Sequence, residues 1–385
     1  MDFTLRTPPI LFGANKAQEA PQIIRRYGER VLVVTGGSSL QQTASWSAFV
    51  ERAQEQGLIL EHYKIPREPD VALIDEGIRL CKESGCHSVI GFGGGSALDS
   101  AKVIAALATN GGDSLDYLEE IGRGKTIHTP PLPFIAIPTT AGSGSEVTKN
   151  SVIKVPEAGV KRSIRSDLMV PLYAIVDPTL CQDAPVHVAA SAGLDALTHL
   201  IEAYVSRGAQ PTTDALIVPG IKMACTALWA LSKGDFAAHA EQMALASIWG
   251  GIALANAGLG VIHGLVAPLC GLKPIAHGTG CASLLPEGIL ANVAALKKRD
   301  PKHPVLARYQ EIAAIINHGD NDIEKAAMRL SSLRRSLGVP SLSAQGVFAT
   351  DFASILSGCR GGSMKNNPIS LSDEELSDLL TSSLV

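Results

Sequence analysis

Three consecutive glycines stand at the centre of the segment Gly91-Phe92-Gly93-Gly94-Gly95-Ser96-Ala97-Leu98-Asp99-Ser100-Ala101-Lys102. Glycines let a backbone turn sharply and bring its N–H groups close to an anion. The helix predicted to begin near Ser96 would add its positive end, which attracts a pyrophosphate. We interpret the segment from Gly94 to Asp99 as a phosphate-binding turn from strand to helix; a plain turn with a glycine cap is the alternative.

This turn differs from the common dinucleotide-binding fingerprint. Ser96 occupies the position of the last glycine in that motif, and the turn comes late in the chain rather than after the first strand. On its own, the segment therefore indicates a phosphate and does not identify the nucleotide.

Short β-branched runs alternate with helical patterns in the first half of the chain. The predicted parallel strands are Val31–Thr35, Ser88–Phe92, Phe134–Pro138 and Tyr173–Val176, with helices at Asp70–Ser84 and Ser100–Thr109. After Asp177 the predicted elements are helices at Val188–Ser206, Thr212–Ser232, Ala237–Ala257, Ile323–Leu337 and Asp373–Leu384. We therefore predict an α/β dinucleotide-binding domain, residues 1–180, and an all-α domain, residues 181–385.

Two further loops of small polar residues follow predicted strands. The loop Pro138–Thr148 offers hydroxyl and N–H groups for ribose, phosphate or the nicotinamide amide, with a capped Ser/Thr-rich loop as an equal alternative. The loop Thr35–Ser39 has glycines and serines where an NAD-binding protein often places a carboxylate for the ribose 2′-hydroxyl. The absence of an acid beside Gly36 admits NADP and weakly favours it over NAD.

The composition is that of a globular protein with a large core, with 46% hydrophobic and 18% charged residues. Lys plus Arg number 33 and Asp plus Glu 37, without a block of like charge, so we predict no nucleic-acid or membrane partner. The seven cysteines form no Cys-x-x-Cys pair, which argues against a thiolate zinc site and a disulfide framework. The amino terminus lacks a secretory signal pattern, and we expect a cytoplasmic protein.

One apolar stretch, Gly251–Gly271, is long enough to cross a bilayer. It contains Asn256, Pro268 and several glycines, and it stands alone, so we interpret it as a buried helix of a large core. His263 lies within this stretch, and a buried histidine needs a hydrogen-bond partner or a metal ion.

A metal site is the interpretation that best unites four polar residues of the second half. Asp195 and His199 are four residues apart in a predicted helix and share one face, while His263 and His277 lie among apolar or small residues. Three imidazoles and one carboxylate suit Fe(II), Zn(II), Co(II) or Ni(II). The alternatives are a helix-surface hydrogen bond for the first pair and satisfied core histidines for the others.

Taken in order, these motifs resemble those of the iron-containing, or group III, alcohol dehydrogenases. The similar segments are the Gly93–Lys102 turn, the Pro138–Thr148 loop, Asp177-Pro178, Gly193–Tyr204, His263, His277-Gly278 and Asn367-Pro368-Ile369. The resemblance implies an amino-terminal dinucleotide-binding domain, a carboxy-terminal helical domain and an active cleft between them. It also implies that one divalent ion, Fe²⁺ in first place with Zn²⁺ as the alternative, is bound and used in catalysis by Asp195, His199, His263 and His277.

By the same resemblance, the cofactor is NAD or NADP. The pyrophosphate would lie against Gly94, Gly95 and Ser96, the cofactor groove would be lined by Thr139, Thr140 and Ser143, and the nucleotide side of the cleft would contain Lys161. The implied reaction is hydride transfer between the nicotinamide and a small alcohol or carbonyl compound, with the ion stabilising negative charge on the substrate oxygen. Members are commonly dimers or larger homo-oligomers, which we also expect here.

Two positions depart from the family pattern. Ala267 stands where many members have a further histidine, four positions after the third ligand, so a proton relay through that side chain is absent. Ala276 stands where members often have a proline, immediately before the last ligand. The substrate pocket is therefore expected to differ from that of better-known short-chain alcohol enzymes.

Three other functions are compatible with parts of the pattern. A lyase resembling dehydroquinate synthase shares the architecture, but its usual ligand set contains Glu with two His. A maleylacetate-reductase-like enzyme belongs to the same family, in a branch that often departs from the full ligand set. A non-enzymatic nucleotide-binding scaffold has no reason to bury four ligands.

Overall fold

The computed structural model describes residues 3–37, 39–182 and 184–385, and the chain divides into two compact units. One is Thr7–Ala184; the other is Pro185–Val385 together with the residues up to Arg6. The sequence predicts the change of architecture at residue 180, a few residues before this division. The first unit contains a parallel sheet with helices and the second is helical, which confirms the predicted fold class.

The sheet unit is built around a six-stranded parallel sheet in the order β1-β8-β5-β4-β2-β3, with β6 and β7 forming a separate antiparallel pair. Its elements are β1 (Ile10–Phe12), α1 (Ala20–Ile24), β2 (Arg30–Thr35), α2 (Ala44–Glu55), β3 (Ile59–Lys64), α3 (Val71–Glu83), β4 (Ser88–Gly93), α4 (Gly95–Asn110), β5 (Phe134–Pro138), β6 (Asn150–Val155), β7 (Val160–Arg165), β8 (Tyr173–Val176) and α5 (Thr179–Gln182).

Apolar side chains cover both faces of this sheet. Along β2, Leu32 and Val34 belong to one buried cluster, while Val31 and Val33 belong to the cluster on the opposite face. Successive strand residues point to opposite faces, so a strand covered on both sides must be apolar at every position. This is why β2 was predicted from its unbroken β-branched run.

The central strand β4 brings the three predicted cofactor loops to one edge of the sheet. β4 pairs with β2 on one side, where Thr35 lies opposite Phe92, and with β5 on the other, where Gly93 lies opposite Pro138. All three strands are parallel, so the loops that follow them leave from the same edge. Crevices at the carboxyl ends of parallel strands are where such sheets bind ligands.

The second unit consists of helices, which carry the predicted metal ligands. They are α6 (Val186–Val205), α7 (Pro211–Leu231), α8 (Ala240–Ala257), α9 (Val261–Leu272), α10 (His277–Arg299), α11 (Val305–Ile316), α12 (Ile323–Ser336), α13 (Phe352–Gly358) and α14 (Asp373–Ser382). α6 packs against α7, α8 and α10, and α9 packs against α10 and α13.

The apolar stretch Gly251–Gly271 is not one helix, so that expectation is wrong. α8 ends at Ala257, Gly258 follows with φ of +72°, and α9 leaves at an angle of 98°. The left-handed backbone at Gly258 ends α8. By length and mean hydropathy alone, α7 and α10 would each suffice to cross a membrane, as would the bent pair α8 and α9 if it counted as one span.

Candidate metal centre and cofactor loops

The four predicted metal ligands come together in the helical unit. Asp195 and His199 lie one turn apart on α6, His263 lies on α9, and His277 is the first residue of α10. The Nε2 atoms of the three histidines, in chain order, lie 3.8, 3.4 and 3.9 Å from Oδ1 of the aspartate. Side chains from three helices therefore meet around this carboxylate oxygen.

The carboxylate at the centre of this group lacks an ordinary partner. Asp195 Oδ1 is buried and accepts no hydrogen bond that meets normal geometry. Burial alone would raise the pKa of Asp195, but the charges of His199 and His277 and the contact with His263 hold it well below its usual range. A buried anionic oxygen without a hydrogen bond is costly, so the site requires a positive charge at this point.

Glu202 determines which nitrogen of His263 faces the centre. Nδ1 of His263 donates a hydrogen bond to Glu202 Oε2 over 2.6 Å. With its proton at Nδ1, the neutral imidazole presents a lone pair on Nε2 toward Asp195 Oδ1. A carboxylate behind a histidine in this way is the usual support of a metal-bound imidazole.

A second proton on His263, at Nε2, would be one way to supply positive charge at this point. Burial would lower the pKa of His263, but it is raised well above its usual value because Cys281, Asp195 and Glu202 surround the ring. A divalent ion would replace that proton and satisfy the carboxylate at once. The donor set, with one carboxylate oxygen and three imidazole nitrogens, fits such an ion.

Sequence reasoning missed two residues of this site. Glu202 lies on α6, seven residues after Asp195, and Cys281 lies on α10, four residues after His277. The Cys281 sulfur is 3.6 Å from His263 Nε2 and is fully buried. The signal for Cys281 was its i, i+4 spacing from a predicted ligand, which places both side chains on one helix face.

His277 is the most exposed of the four predicted ligands. The His277 side chain is 38% exposed, whereas those of Asp195, His199 and His263 are at most 7% exposed.

In the sheet unit, the glycine turn and the Pro138–Thr148 loop are in direct contact. The N–H of Thr139 donates to the carbonyl of Gly93 over 3.0 Å. A Cβ on Gly95 would lie only 2.8 Å from Ser143 Oγ, and one on Gly94 would lie 3.4 Å from Thr140 Oγ1. Gly94 and Gly95 thus allow the two loops to approach each other at the start of α4, where Gly94 supplies no side-chain cap for the free N–H groups.

Asp99 and Lys102 hold these loops together from within. Lys102 is buried, and its ammonium donates to the carbonyl and hydroxyl of Ser145, among other oxygens of the same region. Burial lowers the pKa of Lys102 to about 8. Asp99 accepts hydrogen bonds from the Ser145 hydroxyl and the Val152 N–H, so both of its oxygens are engaged within the protein.

The remaining predicted cofactor residues lie at three different places in this unit. Gly36 follows β2, and a Cβ added there would meet nothing within 4 Å; Ser38 of the same loop lies outside the described residues. Ser96 is in the first turn of α4, the helix that begins at Gly95. Lys161 lies on β7, buried, with its ammonium 2.6 Å from Glu68 Oε1.

Comparisons with known proteins agree over nearly the whole chain. Residues 7–178 match the family model of iron-containing alcohol dehydrogenase, and residues 189–384 match that of the Fe-containing alcohol dehydrogenase family, C-terminal. Alcohol dehydrogenase 4 of Schizosaccharomyces pombe is 32% identical over 378 residues, which are 97% of this chain and 87% of that protein.

Solved structures show the same likeness. An archaeal halo-thermophilic alcohol dehydrogenase from a Red Sea brine pool has a TM-score of 0.91 at 27% identity, over 100% of this chain and 99% of that one. The sulfoacetaldehyde reductase of Bifidobacterium kashiwanohense, solved in complex with NAD⁺, has a TM-score of 0.87 at 27% identity, with the same coverage. The chain therefore belongs to the iron-containing alcohol dehydrogenase family and is an oxidoreductase that acts on CH–OH groups.

Proposed function

We propose that this protein is a metal-dependent, NAD(P)-linked alcohol dehydrogenase or aldehyde reductase that transfers hydride between a nicotinamide and a small alcohol or carbonyl compound. The observation that carries the proposal is the buried Asp195 Oδ1, which accepts no hydrogen bond and faces three imidazole nitrogens within 3.9 Å. A set of one Asp and three His also differs from that of the synthase alternative, which usually contains Glu with two His.

The residues that would hold the ion are Asp195, His199, His263 and His277. Fe²⁺ is the first candidate and Zn²⁺ the second, because imidazole nitrogen and carboxylate oxygen accept both. When bound, the ion supplies Lewis-acid stabilisation of the negative charge that develops on the substrate oxygen. Glu202 keeps the proton of His263 on Nδ1, so that Nε2 remains available for the ion.

The residues proposed to bind the cofactor surround the carboxyl ends of β2, β4 and β5. The pyrophosphate would lie against Gly94, Gly95 and Ser96, at the start of α4, where Gly94 supplies no side-chain cap. Thr139, Thr140 and Ser143 would line the groove. Asp99 would act by fixing the neighbouring loop, and Lys161 would face the nucleotide beside Glu68.

The choice between NAD and NADP depends on the end of β2. Gly36 offers no carboxylate to repel a 2′-phosphate, and the exposed Lys64 at the end of the neighbouring β3 lies in register with Thr35. An open glycine and a nearby ammonium support NADP, while the relative solved with NAD⁺ supports NAD. We therefore propose that both are accepted, with a small preference for NADP.

The proton of the alcohol needs a route that avoids position 267. Ala267 lies on α9 one turn after His263, on the same helix face, and its methyl group accepts no proton. Water or the ribose hydroxyls of the cofactor would take that role. The methyl group also leaves room on this face that a histidine would fill.

We further propose a cytoplasmic homodimer or larger homo-oligomer, acting on small molecules and not on nucleic acid or a membrane. The seven cysteines are free thiols, as expected in a reducing compartment. Light scattering of the purified protein would measure the oligomeric state.

The experiment that tests the function is a substrate scan with a defined metal. Protein stripped by a chelator is reconstituted without oxygen with Fe(II) or Zn(II), and alcohols and aldehydes are tried with NAD(H) and NADP(H). We expect alcohol-dependent formation of NADH or NADPH that disappears on stripping and returns with the ion. Turnover that is unchanged in the stripped protein, or absent for every pair, would refute the proposal.

A further inference from the structure

A thiol lies inside the candidate metal centre, next to the four predicted ligands. Cys281 Sγ is 3.6 Å from His263 Nε2, and its residue is fully buried. This sulfur and the ligand atoms of Asp195, His263 and His277 all lie within 4.8 Å of one another.

The placement of the thiol follows from the helix on which it lies. His277 and Cys281 are four residues apart at the start of α10, just as Asp195 and His199 are four residues apart on α6. Residues at this spacing project from one face of a helix. Two helices therefore each present a pair of donors to the same point, and α9 adds His263.

The sulfur is also at the right distance to share an ion with His263. A sulfur at about 2.3 Å and a nitrogen at about 2.1 Å from one ion lie roughly 3.1 to 3.8 Å apart when the angle between them is about 90° to 120°. The observed separation is 3.6 Å. Because His263 Nδ1 donates to Glu202, the atom that faces the sulfur is Nε2, the one that would bind the ion.

We propose that Cys281 is a further donor of this centre, and that it binds the ion as a thiolate while its proton passes to solvent. This inference rests on the proposed function, because it requires a divalent ion held by the same side chains. Sulfur favours Zn(II) and Co(II) over harder ions, so the thiol would increase retention of those ions. A thiolate and the Asp195 carboxylate together would neutralise a divalent charge.

An absorption spectrum of cobalt-loaded protein tests the proposal without relying on activity. Stripped protein is loaded with one equivalent of Co(II), and bound cobalt is measured separately. We expect a thiolate-to-cobalt charge-transfer band in the near ultraviolet for the unaltered protein. The matched control Cys225→Ser, at a thiol on α7 outside the cluster, should keep the band, whereas Cys281→Ser and Cys281→Ala should lose it while still binding cobalt.

A second measurement needs no variant. X-ray absorption of the zinc-loaded protein should show one sulfur neighbour at about 2.3 Å beside the nitrogen and oxygen neighbours. Bound cobalt without the band, a band that survives in Cys281→Ser, or a zinc shell of nitrogen and oxygen alone would each overturn the thiolate donor while leaving the proposed function intact. Failure of the unaltered protein to bind any divalent ion would refute the metal centre itself, and this inference with it.

Discussion

Glu202 links the start of α9 to the metal centre. Its Oε1 accepts the N–H of Ile262 over 2.6 Å, and its Oε2 accepts Nδ1 of His263. A carboxylate is favoured at a helix amino terminus, where the N–H groups are free. The Glu202 side chain therefore accepts an N–H group at the amino terminus of α9. It also determines which ring nitrogen of the predicted ligand His263 carries the proton.

The change Glu202→Gln should weaken metal binding without abolishing it. The amide oxygen can accept at only one of the two positions that the carboxylate oxygens occupy, and the amide carries no charge. Loss of such a supporting carboxylate typically lowers metal affinity about 10- to 100-fold. The measurement is competition for Zn(II) against a chelator of known affinity. Glu311→Gln is the control, because that carboxylate on α11 bonds the hydroxyl of Tyr204 and not a histidine. Equal zinc affinity in Glu202→Gln and the unaltered protein would contradict the assigned role.

Glu146 is a buried acid in the sheet unit, and its pKa determines how stability varies with pH. Burial raises the pKa of Glu146 to about 7. In the unfolded chain the carboxyl ionises near its usual pKa, so the folded state binds more protons between the two values. The stability that Glu146 contributes by holding its proton in the folded state is therefore complete in acid. It is lost as the pH rises through the pKa of Glu146 in the folded protein.

We predict that this group lowers the free energy of unfolding by about 2 kcal/mol between about pH 5 and about pH 7.5. Glu146→Gln should remove that part of the pH dependence, because an amide does not ionise. Denaturant titrations at both pH values measure it, with the exposed Glu157→Gln as the control. A Glu146→Gln curve as steep in pH as that of the unaltered protein would show that Glu146 stays ionised in the fold.

At the scale of elements, the end of β2 governs cofactor choice. Gly36→Asp should reduce catalytic efficiency with NADP relative to NAD about tenfold or more, because the new carboxylate would repel the 2′-phosphate of NADP. A tenfold change corresponds to roughly 1.4 kcal/mol, and repulsion between two such negative charges costs more than that. The side chain has space, since a Cβ at Gly36 meets nothing within 4 Å. Steady-state kinetics with both cofactors measure the ratio.

Gly36→Asn separates charge from size in that experiment. It has nearly the same shape as the aspartate but no charge, and it should leave the ratio close to that of the unaltered protein. The account of β2 would be wrong if Asp and Asn changed the ratio equally, or if neither changed it.

Burial on both faces decided which strands could be predicted from the sequence. β2, β4, β5 and β8 read as apolar runs because both of their faces are covered. The edge strand β3 was missed because Glu61, His62 and Lys64 interrupt its apolar pattern. Helix α10 was missed because Gly278, Gly280 and Pro286 weaken the helical signal, although α10 lies within the packed helical unit.

At the scale of the whole molecule, residue types and spacing predicted the fold class. They also selected the three histidines that lie around the Asp195 carboxylate. They could not show that Glu202 supports His263 or that Cys281 lies beside it. Those contacts join positions 61 and 18 residues apart in sequence, on helices whose relative placement only the fold determines. The bend at Gly258 could not be predicted either, because a run of apolar residues has the same sequence pattern in one straight helix as in two helices joined by a bend.

The central claim is that Asp195, His199, His263 and His277 hold one catalytic ion. The most direct test measures bound metal per chain and NAD(P)-linked alcohol oxidation together, in the unaltered protein and in His263→Ala. We predict one divalent ion per chain in the unaltered protein, and in the variant a loss of most of that metal together with the activity, while the fold persists by circular dichroism. A His263→Ala protein that keeps both its metal and its full rate would contradict the account.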